Sequence, residues 1–186
     1  MKLLISGSSG GIGSALKDAA IRRSHEIFEV NREDYASGRL NLPQGLEAIV
    51  FATGTCPIRP AALTSDELFE ETMRVNCGLF MRLVREVLEN KAYSAGGLKV
   101  IAVSSVSATE GWPGGAAYCA SKGALSALCR ALDAELKAKR ISVTAVEPRY
   151  VKTRMFDQGA GRMGVPASEA EAPEAFAERL LMALED

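Results

Sequence analysis

The feature that most constrains this fold is a glycine cluster set between a short apolar run and an amphipathic helix. Lys2–Ser6 (KLLIS) reads as a buried strand and runs straight into Gly7-Ser8-Ser9-Gly10-Gly11-Ile12-Gly13. Beyond it, Ile12, Ala15, Leu16, Ala19 and Ala20 recur at i, i+3, i+4, i+7 and i+8, one face of a helix ending near Ser24. Glycines at such a turn allow positive φ and let the backbone approach a pyrophosphate closely. The helix start adds unpaired N–H groups and partial positive charge. The same turn without a ligand is only a tight βα connection, so the motif acquires meaning from the rest of the chain.

Beyond the first helix, short β-branched runs alternate with helical patterns, the signature of βαβ units and a parallel sheet. Residues 25–30 form a second strand, 39–42 offer a very short third, and 47–52 (EAIVFA) a buried fourth. From 65 to 90 the pattern is helical, with Ser65 as N-cap and Leu68, Thr72, Val75, Leu79, Leu83 and Val87 on one stripe. A fifth strand at 99–104, a helix at 117–138 and a sixth strand at 141–147 complete the sheet. Pro173 then opens a terminal helix. The expectation is a Rossmann-type three-layer α/β/α sandwich, strand order 3-2-1-4-5-6, in one domain spanning 1–186. A ligand belongs across the carboxyl ends of the strands.

Charge narrows the ligand. With 22 basic and 23 acidic residues the net charge is −1, which argues against nucleic acid or an anionic membrane as the main partner and for a small molecule. The N-terminal apolar run is broken after five residues, too short for a signal segment or a span, so a cytoplasmic protein is expected. Cys56, Cys77, Cys119 and Cys129 contain no CxxC pair and read as thiols, with no zinc site or redox dithiol expected. At the end of the second strand, where an acid would bind the ribose of NAD, stand Asn31 and Arg32. An arginine there suits the 2′-phosphate of NADP, although Glu33 and Asp34 come next and keep NAD possible.

Taken in order, Ser6-Gly7-x-x-x-Gly11-Ile12-Gly13, Ala52-Thr53-Gly54, Val75-Asn76, Ser104-Ser105 and Tyr118-Cys-Ala-Ser-Lys122 resemble the short-chain dehydrogenase/reductase family, over 1–153. The resemblance implies that Tyr118 exchanges a proton with a carbonyl or alcohol oxygen while a nicotinamide exchanges the hydride. Ser105 would bind that oxygen, Lys122 the nicotinamide ribose, and Asn76 a relay water. It also implies a cofactor site made of Gly7, Ser9, Gly10, Gly11, Ile12, Gly13, Asn31, Arg32, Asn41, Leu42, Ala52, Thr53, Gly54, Tyr118, Lys122, Pro148, Val151 and Thr153. NADP is preferred there, with a homodimer or homotetramer and no metal. Elementary chemistry agrees on one point: Tyr118 and Lys122 are i and i+4 on a helix, and a nearby ammonium should lower the tyrosine pKa. His25, the only histidine, sits far from this set, which leaves no histidine triad.

The chain departs from the family in five places, one of them the trimmed helical crossover after the second strand. Phe51-Ala52-Thr53-Gly54 replaces the usual asparagine-rich turn, and Pro148-Arg149 replaces proline-glycine, which costs backbone freedom at Arg149 and offers a side chain that could project toward the cofactor or substrate. The seventh strand is missing, and 154–186 holds only a shortened substrate loop and the terminal helix. The loop from Val106 to Gly115, with Trp112, should lie beside the substrate oxygen, and Met155 and Phe156 suggest an apolar wall. Two other readings remain: a dinucleotide-binding sensor that keeps the fold without efficient catalysis, and an epimerase or dehydratase of the extended relatives, which normally carry a larger C-terminal domain.

Overall fold

A computed structural model describes residues 1–186, the side chain of Arg162 excepted. The strands are β1 (Lys2–Ser6), β2 (Glu26–Val30), β3 (Ala48–Phe51), β4 (Leu98–Val103) and β5 (Ile141–Val146). They form one parallel sheet in the order β2-β1-β3-β4-β5. The helices are α1 (Gly11–Arg22), α2 (Arg32–Ala36), α3 (Asp66–Met73), α4 (Leu79–Glu89), α5 (Ala116–Leu136), α6 (Arg154–Gln158) and α7 (Pro173–Glu185).

Two apolar clusters sandwich the sheet. On one face α1 and α7 pack Leu16, Ala19, Phe176, Leu180 and Leu181 onto Leu3, Ile5, Val50 and Ile101. On the other, α4 and α5 pack Phe80, Leu83, Val87, Leu125 and Cys129 onto Leu4, Ile49, Phe51 and Val100. Central strands bury side chains on both faces, and for that reason β3 reads as an unbroken apolar run.

The expected edge strand at 39–42 does not form, so the sheet has five strands and β2 lies at its edge. A parallel crossover needs about a dozen residues, and only residues 31–38 separate β2 from the expected strand, most of them spent on the five-residue α2. Helix α4 satisfies the polar groups of this stretch instead. Arg82 donates to the carbonyls of Tyr35 (2.6 Å) and Gly38 (2.5 Å), and the buried Glu86 accepts from Leu40 N–H (2.7 Å). Burial opposes the charge on Glu86, but Arg82 at 2.8 Å and the Leu40 N–H outweigh it and hold the carboxyl below its ordinary pKa.

The helix expected over 65–90 is continuous but irregular. Arg74–Gly78, between α3 and α4, makes a π turn whose buried members are Val75 and Asn76. Such turns widen a helix locally and recur where a side chain must be re-aimed. Ser65 caps the helix as expected, accepting from Leu68 N–H. Among the described residues no helix is long and apolar enough to cross a membrane.

Candidate active site

At the carboxyl ends of β1, β3, β4 and β5 lies a cavity of about 250 Å³, just under the roughly 300–1,000 Å³ of typical small-molecule sites. Ile12, Ala52, Gly54, Ser105, Tyr118, Lys122, Pro148, Val151 and Thr153 line it, all residues singled out from sequence. Each arrives at the same edge because parallel strands deliver their following turns to one end.

Beside the cavity, the loop after β1 has the close packing that only glycine allows. Gly7 has φ +85, and a Cβ on it would lie 2.7 Å from Thr53 N. A Cβ on Gly13 would lie 2.1 Å from the Gly7 carbonyl oxygen, and one on Gly11 2.5 Å from Thr153 Cγ2. Gly10 precedes α1, and no side chain caps the helix start. Uncapped N–H groups beside bare backbone suit a diphosphate, so the cradle fits a dinucleotide.

Behind the cradle the buried hydroxyl of Ser6 bonds both Tyr35 Oη (2.9 Å) and Thr53 Oγ1 (2.8 Å), tying β1, α2 and the turn after β3 together. Ser9 donates to Asn31 Oδ1 (3.3 Å). Arg32 is exposed and reaches back to the Gly54 carbonyl (3.2 Å), while the Asp34 carboxylate accepts from Asn31 N–H (2.7 Å). Asn41 and Leu42 do not join the cavity lining: Asn41 is exposed and Leu42 packs on the core cluster.

Tyr118 and Lys122 share one face of α5, with Nζ 5.7 Å from the ring centroid. Nζ donates to the carbonyl of Val103 at the end of β4 (2.8 Å). Burial pulls the Lys122 pKa from 10.5 down to about 8. The same burial pushes the Tyr118 phenol well above its ordinary 10; the Cys56 thiol adds to that, and a hydrogen bond with Ser105 works against it. The expected lowering by the ammonium is therefore overturned in this geometry, where desolvation dominates. Ser105 Oγ accepts from Ser107 N–H (3.1 Å), which fixes the oxygen and leaves its proton to be donated.

Asn76 is fully buried outside the cavity lining. Its Oδ1 accepts from Thr55 N–H (2.7 Å), and its Nδ2 donates to the Thr55 carbonyl and to Ser121 Oγ (both 2.8 Å). The π turn is what brings this amide inward. Ser121 in turn donates to the Tyr118 carbonyl (2.7 Å), so Asn76 joins the turn after β3 to α5.

Three lining groups carried no signal in the sequence. Cys56 lies near Lys122 and Tyr118, its thiol pushed up to about 11 by burial. Tyr150 packs its ring on Phe156, centroids 5.8 Å apart. Glu110 pairs with Arg149 at 2.8 Å. Arg149 is not among the non-glycine residues with positive φ, so glycine's freedom is not needed there. Trp112, its ring centroid 6.3 Å from that of Tyr118, donates to Ser107 Oγ (3.1 Å) and lies against Gly115. Among the described residues no cluster suited to a metal ion occurs.

The family model of short chain dehydrogenases matches residues 34–161, which include Asn76, Ser105, Tyr118 and Lys122 but not the glycine loop. This chain belongs to the short chain dehydrogenase family. Over 161 residues it is 29% identical to the 3-oxoacyl-[acyl-carrier-protein] reductase FabG of Rickettsia prowazekii, covering 84% of this chain and 65% of that protein. It is 32% identical to cyclopentanol dehydrogenase of Comamonas sp. over 135 residues, 70% of this chain and 54% of that one. The chain thus spans about two thirds or less of the length of these relatives. In fold it is similar to a 4-hydroxyisoleucine dehydrogenase mutant complexed with NADH and succinate, with TM-score 0.80 and 22% identity over 97% of this chain and 89% of that one. Actinorhodin polyketide ketoreductase with NADPH is similar too, with TM-score 0.77 and 18% identity over 98% of this chain and 89% of that one.

Proposed function

We propose that this chain is an NADP(H)-dependent oxidoreductase that reduces a carbonyl compound, or oxidises the corresponding alcohol, by hydride transfer with Tyr118 as acid and base. The observation that carries the reading is the convergence of Ser105, Tyr118 and Lys122 on one cavity beside a glycine cradle. The nicotinamide, when bound, supplies or accepts the hydride at its C4. Gly11, Ile12 and Gly13 would hold the diphosphate on their N–H groups, with Thr153 packed over Gly11, while the Gly10 N–H closes the turn onto the Gly7 carbonyl (3.0 Å). Gly54 leaves space toward Lys122 Nζ, where a ribose hydroxyl would accept.

Tyr118, its phenol kept protonated by burial, is set up to donate to a carbonyl oxygen. Ser105 donates to the same oxygen as negative charge develops on it. Lys122 supports the phenolate that remains. Asn76 holds the turn after β3 against the Tyr118 helix. The Rickettsia relatives are named reductases of a 3-oxoacyl group, and a ketone carbonyl is the bond proposed here. Arg32, with Asp34 engaged at Asn31 N–H, supports a 2′-phosphate preference. The same reading includes a homodimer through α4 and α5, supported by the exposed Phe69 and Met81 nearby.

The segment after β5 supplies Tyr150, Met155, Phe156 and Met163 to the cavity wall, which favours an enzyme over a sensor. The test is consumption of NADPH absorbance across a carbonyl panel. Tyr118→Phe should lower turnover by about 10²–10⁴-fold with NADPH affinity retained. NADPH binding without turnover of any carbonyl would establish the sensor, and equal loss of NADPH and NADH affinity in Arg32→Ala would remove the phosphate preference.

A further inference from the structure

Among the described residues three charged side chains line the cavity: Lys122, Glu110 and Arg149. Lys122 is buried and held by the Val103 carbonyl beside Tyr118. Arg149 and Glu110 instead face each other from different segments, the turn after β5 and the loop after β4, with one contact, Nη2 to Oε1 at 2.8 Å. More than half of each side chain is exposed. A pair so exposed is weak, because water screens it and both chains must be ordered to make it. Among the described residues the Arg149 guanidinium has no other hydrogen-bond partner, so most of its five donors face solvent or the cavity. The walls around it are apolar, built from Trp112, Tyr150, Met155, Phe156 and Met163.

We propose that Arg149 is an anion receptor in the substrate site, and that the substrate carries, besides its carbonyl or alcohol, a carboxylate that replaces Glu110 on the guanidinium. The proposal rests on the oxidoreductase reading for the carbonyl, but not for the anion. A planar fork of donors suits a carboxylate bidentately, whereas the single contact with Glu110 uses a fraction of that capacity. A neutral substrate would have to pass the ion pair without compensating either partner. An anion exchanges for Glu110, whose carboxylate is free to turn into solvent.

The test compares straight-chain oxo-carboxylates with their uncharged primary amides of the same chain length, using NADPH and the whole chain. The native protein should favour the carboxylate by KM, and Arg149→Gln should shift the carboxylate-to-amide KM ratio by about 10–100-fold. Glu110→Gln, which removes the internal competitor, should lower the carboxylate KM. A native protein that treats both series alike, with Arg149→Gln shifting neither relative to the other, would overturn the proposal. Binding is read separately through Trp112, the only tryptophan, by fluorescence quenching with saturated carboxylates in the presence of NADPH. Quenching that Arg149→Gln abolishes, with no carbonyl turned over, would keep the anion site and remove the oxidoreductase reading. Turnover of amides and carboxylates indifferent to Arg149 would do the reverse.

Discussion

Lys122→Met should make the protein more stable at neutral pH and catalytically poor. Burial takes the Lys122 pKa from 10.5 to about 8. At about 1.4 kcal/mol per pH decade, the protonated lysine therefore costs the fold on the order of 3 kcal/mol at pH 7. The sign comes from proton counting. Between pH 8 and 10.5 the unfolded chain keeps the proton and the folded one has lost it, so raising the pH favours the fold. The penalty is full below pH 8 and falls below about 1 kcal/mol by pH 10. Methionine nearly matches the lysine stem in volume, so no large cavity opens, and the lost bond to the Val103 carbonyl takes back about 1 kcal/mol.

The net gain is about 2 kcal/mol at pH 7, or roughly 4–8 °C in Tm for a domain of this size. Urea unfolding of both proteins at pH 7 and pH 10 measures it. The advantage of the variant should shrink by about 2–3 kcal/mol between the two, while activity at pH 7 falls by about 10²-fold or more. A variant less stable than the native protein at pH 7, or a stability difference that does not change with pH, would refute the reasoning that burial of this ammonium opposes the fold.

The glycine loop gives a contrast within one turn. Gly13→Ala places a Cβ 2.1 Å from a backbone oxygen and should destabilise by about 3 kcal/mol and weaken NADPH binding, whereas Gly10→Ala, at 3.3 Å from the same oxygen, should cost about 1 kcal/mol or less; thermal melts and NADPH titration of both check the order. Glu86→Ala leaves the Leu40 N–H and the Arg82 guanidinium without their carboxylate and should cost about 2–4 kcal/mol, with faster proteolysis between Ser37 and Gly45. Because the Glu86 carboxyl is held below its ordinary 4.5, its contribution is present above that pH and is lost as acid carries the protein through the lower folded value; native and variant melts at pH 7 and pH 3 should converge at the lower pH.

How far the sequence could be read depends on which interactions are local. β1, its glycine turn and α1 are legible because chain direction, φ freedom and apolar period are all set within neighbouring residues. Tyr118 and Lys122 are legible for the same reason, as a four-residue spacing on one helix. The strand expected at 39–42 fails because what decides it is Arg82 and Glu86, more than forty residues away, offering partners that a strand edge would otherwise supply. Asn76 shows the limit most sharply. Val75 and Leu79 keep an apolar stripe that an unbroken helix explains equally well, so periodicity gives no sign of the π turn that brings the Asn76 amide inward. Arg149 stands out after Pro148, but its pairing with Glu110 is silent for a related reason: the two meet only because β4 and β5 end side by side. The parts of the site that would make and move protons are thus written in short spacings, while the part that would choose the substrate depends on the sheet having formed. A member of this family can keep the first and still differ in the second.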